Sequence, residues 1–255
     1  MIKKQYSHDS CFFALFFLFA SLTALPGQTL AADETEVQFT FAQPPITKPM
    51  DKGESEHRFN LTYLKLDMDN AIEGRGINYM QKKGQERGGI AWNVGAFQLE
   101  DEDGIIDGFM INGGVDQEIH LGSGKNSIMF FGLTPSLMFM TFDISIPGIA
   151  DIEVDVTTLN FNLHAGYEHQ IPLGRVILTP YAKVDLNGSM SSSSTTTDIY
   201  SPCCYTDTTY DDNTDAYITQ TIGFDILLPG GVSIASALNT GGDDDMTLIQ
   251  VGWSF

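Results

Sequence analysis

Apolar and polar residues alternate one by one along most of the chain after residue 55. The clearest example is 158–168, where Leu159 and Phe161 share one face and Asn160 and Asn162 share the other. Successive side chains of a β-strand point to opposite faces, so this pattern predicts a strand with one apolar and one polar surface.

The same alternation recurs through the rest of the chain, and the spacing of an amphipathic helix is nowhere sustained. Counted back from the end, the pattern predicts strands at 246–255, 232–239, 216–228, 175–188, 154–169, 126–141, 107–119 and 88–99, and a further hairpin at 58–67 and 76–82. We therefore predict an all-β, antiparallel fold with ten strands, or with eight if the first hairpin does not form.

Two architectures fit such strands. A secreted soluble β-sandwich buries the apolar faces in a core, whereas a transmembrane β-barrel turns them toward lipid. The strands run for about 10 to 14 residues, which exceeds the ~5 to 6 of ordinary strands and suits the ~9 to 11 needed to cross a membrane. Tight turns alternate with longer or acid-rich links, of which the Ser-, Thr- and Asp-rich stretch 188–215 is predicted to be a long loop. Strand length and connections favour the barrel.

The first residues have the composition of a secretion signal. Lys3 and Lys4 precede an apolar run at 11–25, and small residues follow it. About 15 apolar residues are too few for a membrane-spanning helix, which needs about 20, so a cleaved signal peptide is favoured over an anchor. The predicted organisation is a signal peptide at 1–31, a periplasmic segment at 32–54 and a barrel at 55–255.

The charge is strongly acidic and unevenly distributed. The chain has 13 Lys and Arg against 33 Asp and Glu, a net charge of -20, which excludes sequence-independent binding of nucleic acid. The predicted outward links hold 20 of the acids and none of the bases, and lie at 67–73, 100–107, 143–155, 198–215 and 243–245. Basic residues are predicted in the opposite turns, namely Lys82, Lys83, Arg87, Lys125 and Arg175. This distribution points to partners that are cations or cationic surfaces.

Charged residues of both signs are predicted to face the interior, namely Arg58, Asp116, Glu118, Glu168, Arg175, Lys183 and Asp225. A barrel of eight to ten strands is just wide enough to be filled by side chains, so the mixture favours an ion-paired plug over a channel. The segment 128–142 is apolar on both faces. Its inward residues are expected to meet other apolar groups, hypothetically Phe39 and Phe41; they are Ile128, Phe130, Met138 and Met140.

Catalytic motifs are absent from the sequence, which contains no HExxH, CxxC or GxSxG. His164 is the histidine predicted to lie inside, as a hydrogen-bonded lumen residue. The serines at 189–194 have no histidine near them in sequence, so Ser-His-acid catalysis is not predicted. We expect no enzyme and no cofactor, with a lipid-modifying or proteolytic barrel as the alternative.

Two further features suggest ligands or cross-links. Acidic clusters offer oxygen ligands for weakly bound divalent cations, the candidates being Asp211, Asp212, Asp215, Asp243, Asp244 and Asp245. Cys203 and Cys204 are adjacent in a chain predicted to enter an oxidising compartment. A vicinal disulfide, a link between two chains and two free thiols all remain open.

The chain ends on an alternating strand with a terminal aromatic residue: Val251, Trp253 and Phe255 share one face. This ending resembles the C-terminal strand of bacterial outer-membrane barrels, which the barrel-assembly machinery reads. The whole chain resembles the small outer-membrane barrels of the OmpA, OmpX, OmpW and opacity-protein type. The resemblance implies the outer membrane of a Gram-negative bacterium, periplasmic termini, and contact with outer-membrane lipid and lipopolysaccharide.

The function expected from these features is a non-enzymatic outer-membrane barrel with acidic surface loops. It would stabilise the envelope or contact a surface partner, which the sequence does not identify. The alternatives are a narrow pore for small or hydrophobic solutes and, third, the soluble β-sandwich.

Overall fold

The protein is described from a computed structural model, which covers residues 50–67, 71–101, 103–122, 125–200, 205–241 and 245–255. In these ranges the strands are β1 (Ser55–Asp67), β2 (Ile72–Gln85), β3 (Gly88–Asp101), β4 (Ile106–Leu121), β5 (Ser127–Ile146), β6 (Ala150–His169), β7 (Ile171–Leu173), β8 (Val176–Ile199), β9 (Tyr205–Leu227), β10 (Val232–Thr240) and β11 (Asp245–Ser254). No helix among the described residues is long and apolar enough to cross a membrane.

The strands form one antiparallel sheet whose two ends meet. β1 pairs with β11, and β6 pairs with β8 over almost its whole length. β7 is a three-residue piece that pairs with the start of β8. The other ten strands of the described chain therefore close into a ring. The prediction of an all-β, ten-stranded barrel is confirmed, and the β-sandwich is wrong because a closed ring has no second sheet to pack against.

The side chains alternate between the two faces of the wall, and the apolar face points outward. On β1, Leu61 is 59% exposed whereas Asn60 is 1% exposed. On β6, Phe161 and Leu163 are likewise exposed, while Asn162 between them is buried. A soluble protein buries its apolar residues and exposes its polar ones, so this inverted arrangement is that of a transmembrane β-barrel.

The connections between strands are short at both ends of the barrel. We call the end that holds Ser55 and Phe255 the terminal end and the opposite end the far end. The connections at the far end have three to five residues. Those at the terminal end have two to six residues, if β7 is counted as part of the connection between β6 and β8. The predicted contrast between short turns and long loops is therefore wrong, and the two ends differ instead in how far the strands extend.

The stretch 188–215, predicted to be a loop, is mainly strand. β8 has 24 residues and β9 has 23, against 9 for β10 and 10 for β11. The β8–β9 ladder continues to the pair Ile199↔Tyr205. A hydrophobic period of two arises only where the two faces of a strand meet different surroundings. We attribute its absence here to water on both faces.

The chain enters the barrel at the terminal end. Met50 is 1% exposed, and the Gly53 N–H donates to the carbonyl oxygen of Gly84 at 3.0 Å. The predicted signal peptide lies outside the described residues, as do residues 32–49 and the hypothetical contacts of Phe39 and Phe41.

Candidate functional site

Ion pairs lie in the part of the lumen nearest the terminal end. Arg58 Nη1 is 2.5 Å from Asp225 Oδ2, and both side chains are almost fully buried. Lys183 Nζ is 2.6 Å from Asp185 Oδ1. These pairs confirm the inward direction predicted for Arg58, Lys183 and Asp225.

Lys82 is a buried lumen residue, so its predicted place in a turn is wrong. Its Nζ lies 2.5 Å from Glu118 Oε2, and its side chain is fully buried, so it does not belong to a turn. Lys82 is inward because it follows Asn78 and Met80 on the same face of β2. Arg175 was predicted both to face inward and to lie in a turn. It is an exposed turn residue between β7 and β8, so the inward prediction is wrong.

A polar network occupies the middle of the lumen. His164 Nε2 lies 2.5 Å from Asp116 Oδ1, and His164 Nδ1 lies 2.8 Å from Asn162 Oδ1. The Asn162 side-chain amide also donates to Asp185 at 2.9 Å. The predicted role of His164 as a hydrogen-bonded lumen residue is confirmed, and Asp116 faces inward as expected.

Acids outnumber bases inside the described part of the barrel. Glu56 and Glu168 are buried, and their carboxylate oxygens have no hydrogen-bond partner among the described atoms. Glu118, Asp185 and Asp225 each face one basic side chain, so acidic side chains outnumber Lys and Arg side chains in this part of the lumen.

An apolar cluster fills the lumen toward the far end. Its buried members come mainly from the far-end halves of β1 to β5, β10 and β11: they are Leu64, Leu66, Ile72, Phe97, Leu99, Ile106, Met110, Met138, Met140, Tyr181, Ala237, Met246 and Leu248. Glycines leave room for the largest rings, since a Cβ at Gly76 would overlap Phe97. Met138 and Met140, two of the four inward apolar residues of β5, therefore have apolar partners within the barrel itself. Toward the far end the described lumen is therefore apolar on the side of β1 to β5, whereas Thr158, Asn160 and Ser189 on β6 and β8 are buried polar residues.

The outer wall has an apolar groove of about 500 Å³ beside a break in the β4–β5 ladder. The ladder pairs Asn112 with Ser136 and next pairs Val115 with Leu133, and the residues between these pairs form the break. Pro135 lies in the break and has no N–H to donate. Apolar side chains surround the groove, including Phe59, Ile77, Val94, Ile111, Leu137 and Leu159.

Part of the barrel wall continues beyond the other strands at the far end. We call residues 143–155 and 191–214 the far-end extension. Here β5, β6, β8 and β9 pair with one another, whereas β9 pairs with β10 only up to Gln220 and β5 pairs with β4 only up to Phe142. The sequence of the extension contains eight acids and no Lys or Arg. Two of the five predicted acidic links, 143–155 and the described parts of 198–215, thus belong to one antiparallel sheet.

The candidate cation ligands do not come together. Asp211 and Asp212 lie on opposite faces of β9, because neighbouring residues of a strand alternate. Asp211 and Asp212 are exposed, whereas Asp215 is buried. Within the described ranges, no group of three His, Cys, Asp or Glu residues is arranged to hold a metal. Asp245 begins β11, while Asp243 and Asp244 lie outside the described residues, as do Cys203 and Cys204.

The predicted assembly residues lie on the outer wall of β11 and at its end. Val251, Trp253 and Phe255 are exposed, and the ring of Phe255 stacks on His57 with centroids 5.8 Å apart. Phe255 and His57 also exchange backbone hydrogen bonds of 2.9 and 3.2 Å. The chain end is thus fixed to the first strand of the ring.

A serine–histidine contact that the sequence did not reveal joins β5 and β6. Ser127 Oγ lies 2.9 Å from His169 Nδ1, and the Tyr167 hydroxyl donates to Ser127 Oγ at 3.1 Å. The two residues are 42 positions apart and face each other through the strand register. Only the pairing of the strands could have shown this proximity.

Comparisons with known proteins give no family. No protein-family model matches the sequence, and no curated protein matches it. Among solved structures, the chain is similar to the β domain of the Bordetella autotransporter BrkA, at 11% identity and a TM-score of 0.45, covering 80% of this chain and 100% of that one.

Two other solved structures show comparable likeness. The translocator domain of the autotransporter NalP from Neisseria meningitidis is 10% identical, with a TM-score of 0.46, and 82% of this chain and 90% of that chain are covered. The COG4313 outer membrane channel from Pseudomonas putida F1 is 6% identical, with a TM-score of 0.40, covering 84% and 100%. The barrel assignment itself rests on the closed ring and its apolar outer wall.

Proposed function

We propose that this chain is a closed, non-enzymatic outer-membrane barrel that presents its far-end extension at the cell surface, where it stabilises the envelope or contacts a partner. The observation that carries this proposal is the apolar cluster in the far half of the lumen. Leu64, Leu99 and Met138 are fully buried there. A hydrated ion that met these side chains would lose water on their side of the lumen without gaining polar contacts from them, which opposes its passage.

The proposed orientation has the termini in the periplasm and the extension outside. The distribution of charge supports this orientation. Lys83, Arg87 and Arg175 are exposed at the terminal end, whereas the sequence of the far-end extension contains acids but no Lys or Arg. The proposal retains the likeness to small barrels of the OmpA, OmpX, OmpW and opacity-protein type, and it is supported by the many buried side chains in the lumen of the described barrel. Outer-membrane lipid, lipopolysaccharide and the barrel-assembly machinery are the proposed envelope partners.

Planar-bilayer recording tests whether the barrel is closed. The refolded protein is expected to give no conductance above that of lipid alone. A variant with Leu64→Ser, Leu99→Ser and Met138→Ser removes apolar side chains from the cluster and should conduct if it still shows the heat-dependent gel shift of a folded barrel. Stable channels formed by the unchanged protein would overturn the proposal.

A second candidate function, passage of a small hydrophobic solute through the wall, is favoured by the outer groove and the break in the β4–β5 ladder. Gly113 lies in that break, and a Cβ there would meet only the Asn93 carbonyl oxygen, at 3.4 Å. Gly113→Val should therefore fill the groove.

Uptake of the fluorescent hydrophobic probe 1-N-phenylnaphthylamine by cells producing the protein tests this candidate. If solutes pass through the wall, Gly113→Val reduces uptake, while Gly188→Val on β8, where the ladder is continuous, does not. Equal uptake with and without the protein would remove the candidate.

A further inference from the structure

The far-end extension has a long sheet edge that no described strand covers. The pairing of β9 with β10 ends at Gln220 with Thr240. From 205 to 214, β9 pairs only with β8 among the described strands, and every residue of this stretch is exposed. Ten extended residues span about 33 Å, which is enough to accept another strand. We call this stretch the β9 edge.

The composition of the β9 edge suits strand pairing. Its sequence, YTDTTYDDNT, combines six Thr and Tyr residues, which favour strands, with four Asp and Asn residues, which are less common in strands, and it contains no Pro or Gly. Uncovered edges are commonly protected by Pro or by charged side chains, and the charges on this edge are the three aspartates, which oppose pairing with an acidic strand but not with a basic one. The backbone N–H and C=O groups on the open side are therefore available for a ladder.

The charge of the edge selects its partner. Asp207 and Asp211 share one face of β9, and Asp212 lies on the other. A second copy that paired antiparallel about Thr209 would place Asp207 opposite Asp211, and like charges in directly opposite positions destabilise a pair of strands. A strand with Lys or Arg at these positions would form opposite-charge pairs on both faces.

We propose that the β9 edge accepts an extended, basic polypeptide segment as an additional strand. Backbone hydrogen bonds along the edge would supply affinity, and the three aspartates would select a cationic sequence. This inference rests on the proposed function in one respect: it requires the extension to be presented to a surface partner.

A set of three synthetic peptides tests the proposal against the intact folded barrel in non-ionic detergent. The first is a ten-residue peptide that alternates Thr or Val with Lys. The second replaces each Lys with Glu. The third keeps the Lys residues and replaces two Val with Pro, so that its charge is unchanged but its backbone cannot form a continuous ladder. Binding is measured by fluorescence anisotropy and by protection of the 205–214 amides from hydrogen exchange.

The Lys peptide is expected to bind and to protect the β9 amides, whereas the Glu and Pro peptides do neither. Asp207→Asn, Asp211→Asn and Asp212→Asn together should weaken binding about tenfold, since three opposite-charge pairs are lost. The matched control neutralises three acids away from the edge, Asp103→Asn, Asp143→Asn and Glu153→Gln, and should bind as the unchanged protein does.

Several results would overturn the proposal. Equal binding of the Pro peptide would mean that charge alone attracts it, and equal weakening in the control variant would mean that the whole acidic surface does. Sedimentation showing a dimer without peptide, lost in a Thr208→Pro variant, would assign the edge to a second copy. If the peptide does not bind and the barrel gives no bilayer conductance, the edge proposal alone is refuted. If the unchanged protein conducts, the proposal of a closed barrel is refuted.

Discussion

Arg58 and Asp225 form an ion pair inside the barrel, although β11 and β10 separate their strands in the sheet. Both side chains are almost completely buried. Removing one partner of such a pair leaves an uncompensated buried charge and typically costs about 3–5 kcal/mol. Arg58→Met is therefore expected to lower the temperature at which the folded barrel loses its gel shift.

A double variant separates the charge effect from the loss of packing. Arg58→Met with Asp225→Leu removes both charges and should recover most of the lost stability, because apolar replacement of a complete buried pair is often neutral. Lys52→Met is the control, since its ion pair with Glu86 is exposed and should contribute about 0–1 kcal/mol. Equal losses in the single and double variants would show that packing, and not the pair, is responsible.

Lys82 and Lys83 are neighbours in sequence with opposite surroundings. Lys82 is fully buried against Glu118, whereas Lys83 is exposed. Lys82→Met should destabilise the barrel by about 3–5 kcal/mol, because Glu118 loses its partner. Lys83→Met should change stability by less than about 0.5 kcal/mol. Thermal unfolding of both variants in the same detergent checks the difference, and similar midpoints would contradict the buried pair.

The exposed pair of Asp51 and Lys125 at the terminal end should make stability depend on pH. The Lys125 ammonium, through its hydrogen bond and its charge, lowers the pKa of Asp51 below the ordinary value of 3.8. A lowered pKa in the folded state gives stability that is fully present above that ordinary value and is lost as pH falls through the lowered one.

The unfolding temperatures of the unchanged protein and of Asp51→Asn should therefore differ at pH 6 and converge toward pH 2. Lys125→Met should show the same convergence. High salt should reduce the difference at pH 6, since the pair is exposed to solvent. A difference that grows as pH falls would contradict the predicted direction.

The end of the chain should matter more for assembly in cells than for the folded state. Phe255 stacks on His57 but is 69% exposed, so its side chain has little buried area to lose. We expect Phe255→Ala to reduce the heat-modifiable barrel recovered from cell envelopes several-fold, while purified protein refolds in detergent as before. Phe161→Ala, another outward aromatic, serves as the control. Undiminished recovery of Phe255→Ala would remove Val251, Trp253 and Phe255 as an assembly signal.

The contact between Ser127 and His169 provides a direct test of the non-enzymatic proposal. Hydrolysis of phospholipid and of p-nitrophenyl esters by the folded protein should not exceed that of detergent alone, and Ser127→Ala should leave this background unchanged. A hydrolytic activity that disappears in Ser127→Ala would establish a nucleophilic serine and overturn the proposal.

The alternation in the sequence predicted the strands wherever the two faces of the wall meet different surroundings. It gave the outward direction of Phe161 and Leu163 and the inward direction of Arg58 and Glu168, because a strand fixes side-chain direction locally. It failed at 188–215, where no contrast between lipid and lumen marks the strand. Lys82 was assigned to a turn, although it ends the predicted strand 76–82 and the alternation places it on the same face as Asn78 and Met80.

The sequence by itself therefore determined the fold class and the acidic far end, and it favoured ten strands over eight. Only the tertiary structure decided which inward residues meet: Arg58 and Asp225 do so across the lumen, and apolar side chains of β1 to β5, β10 and β11 gather in one cluster. Those contacts depend on strand register and ring closure, which join residues far apart in the chain. The open edge of β9 is likewise a consequence of pairing, because an edge exists only where a neighbouring strand ends.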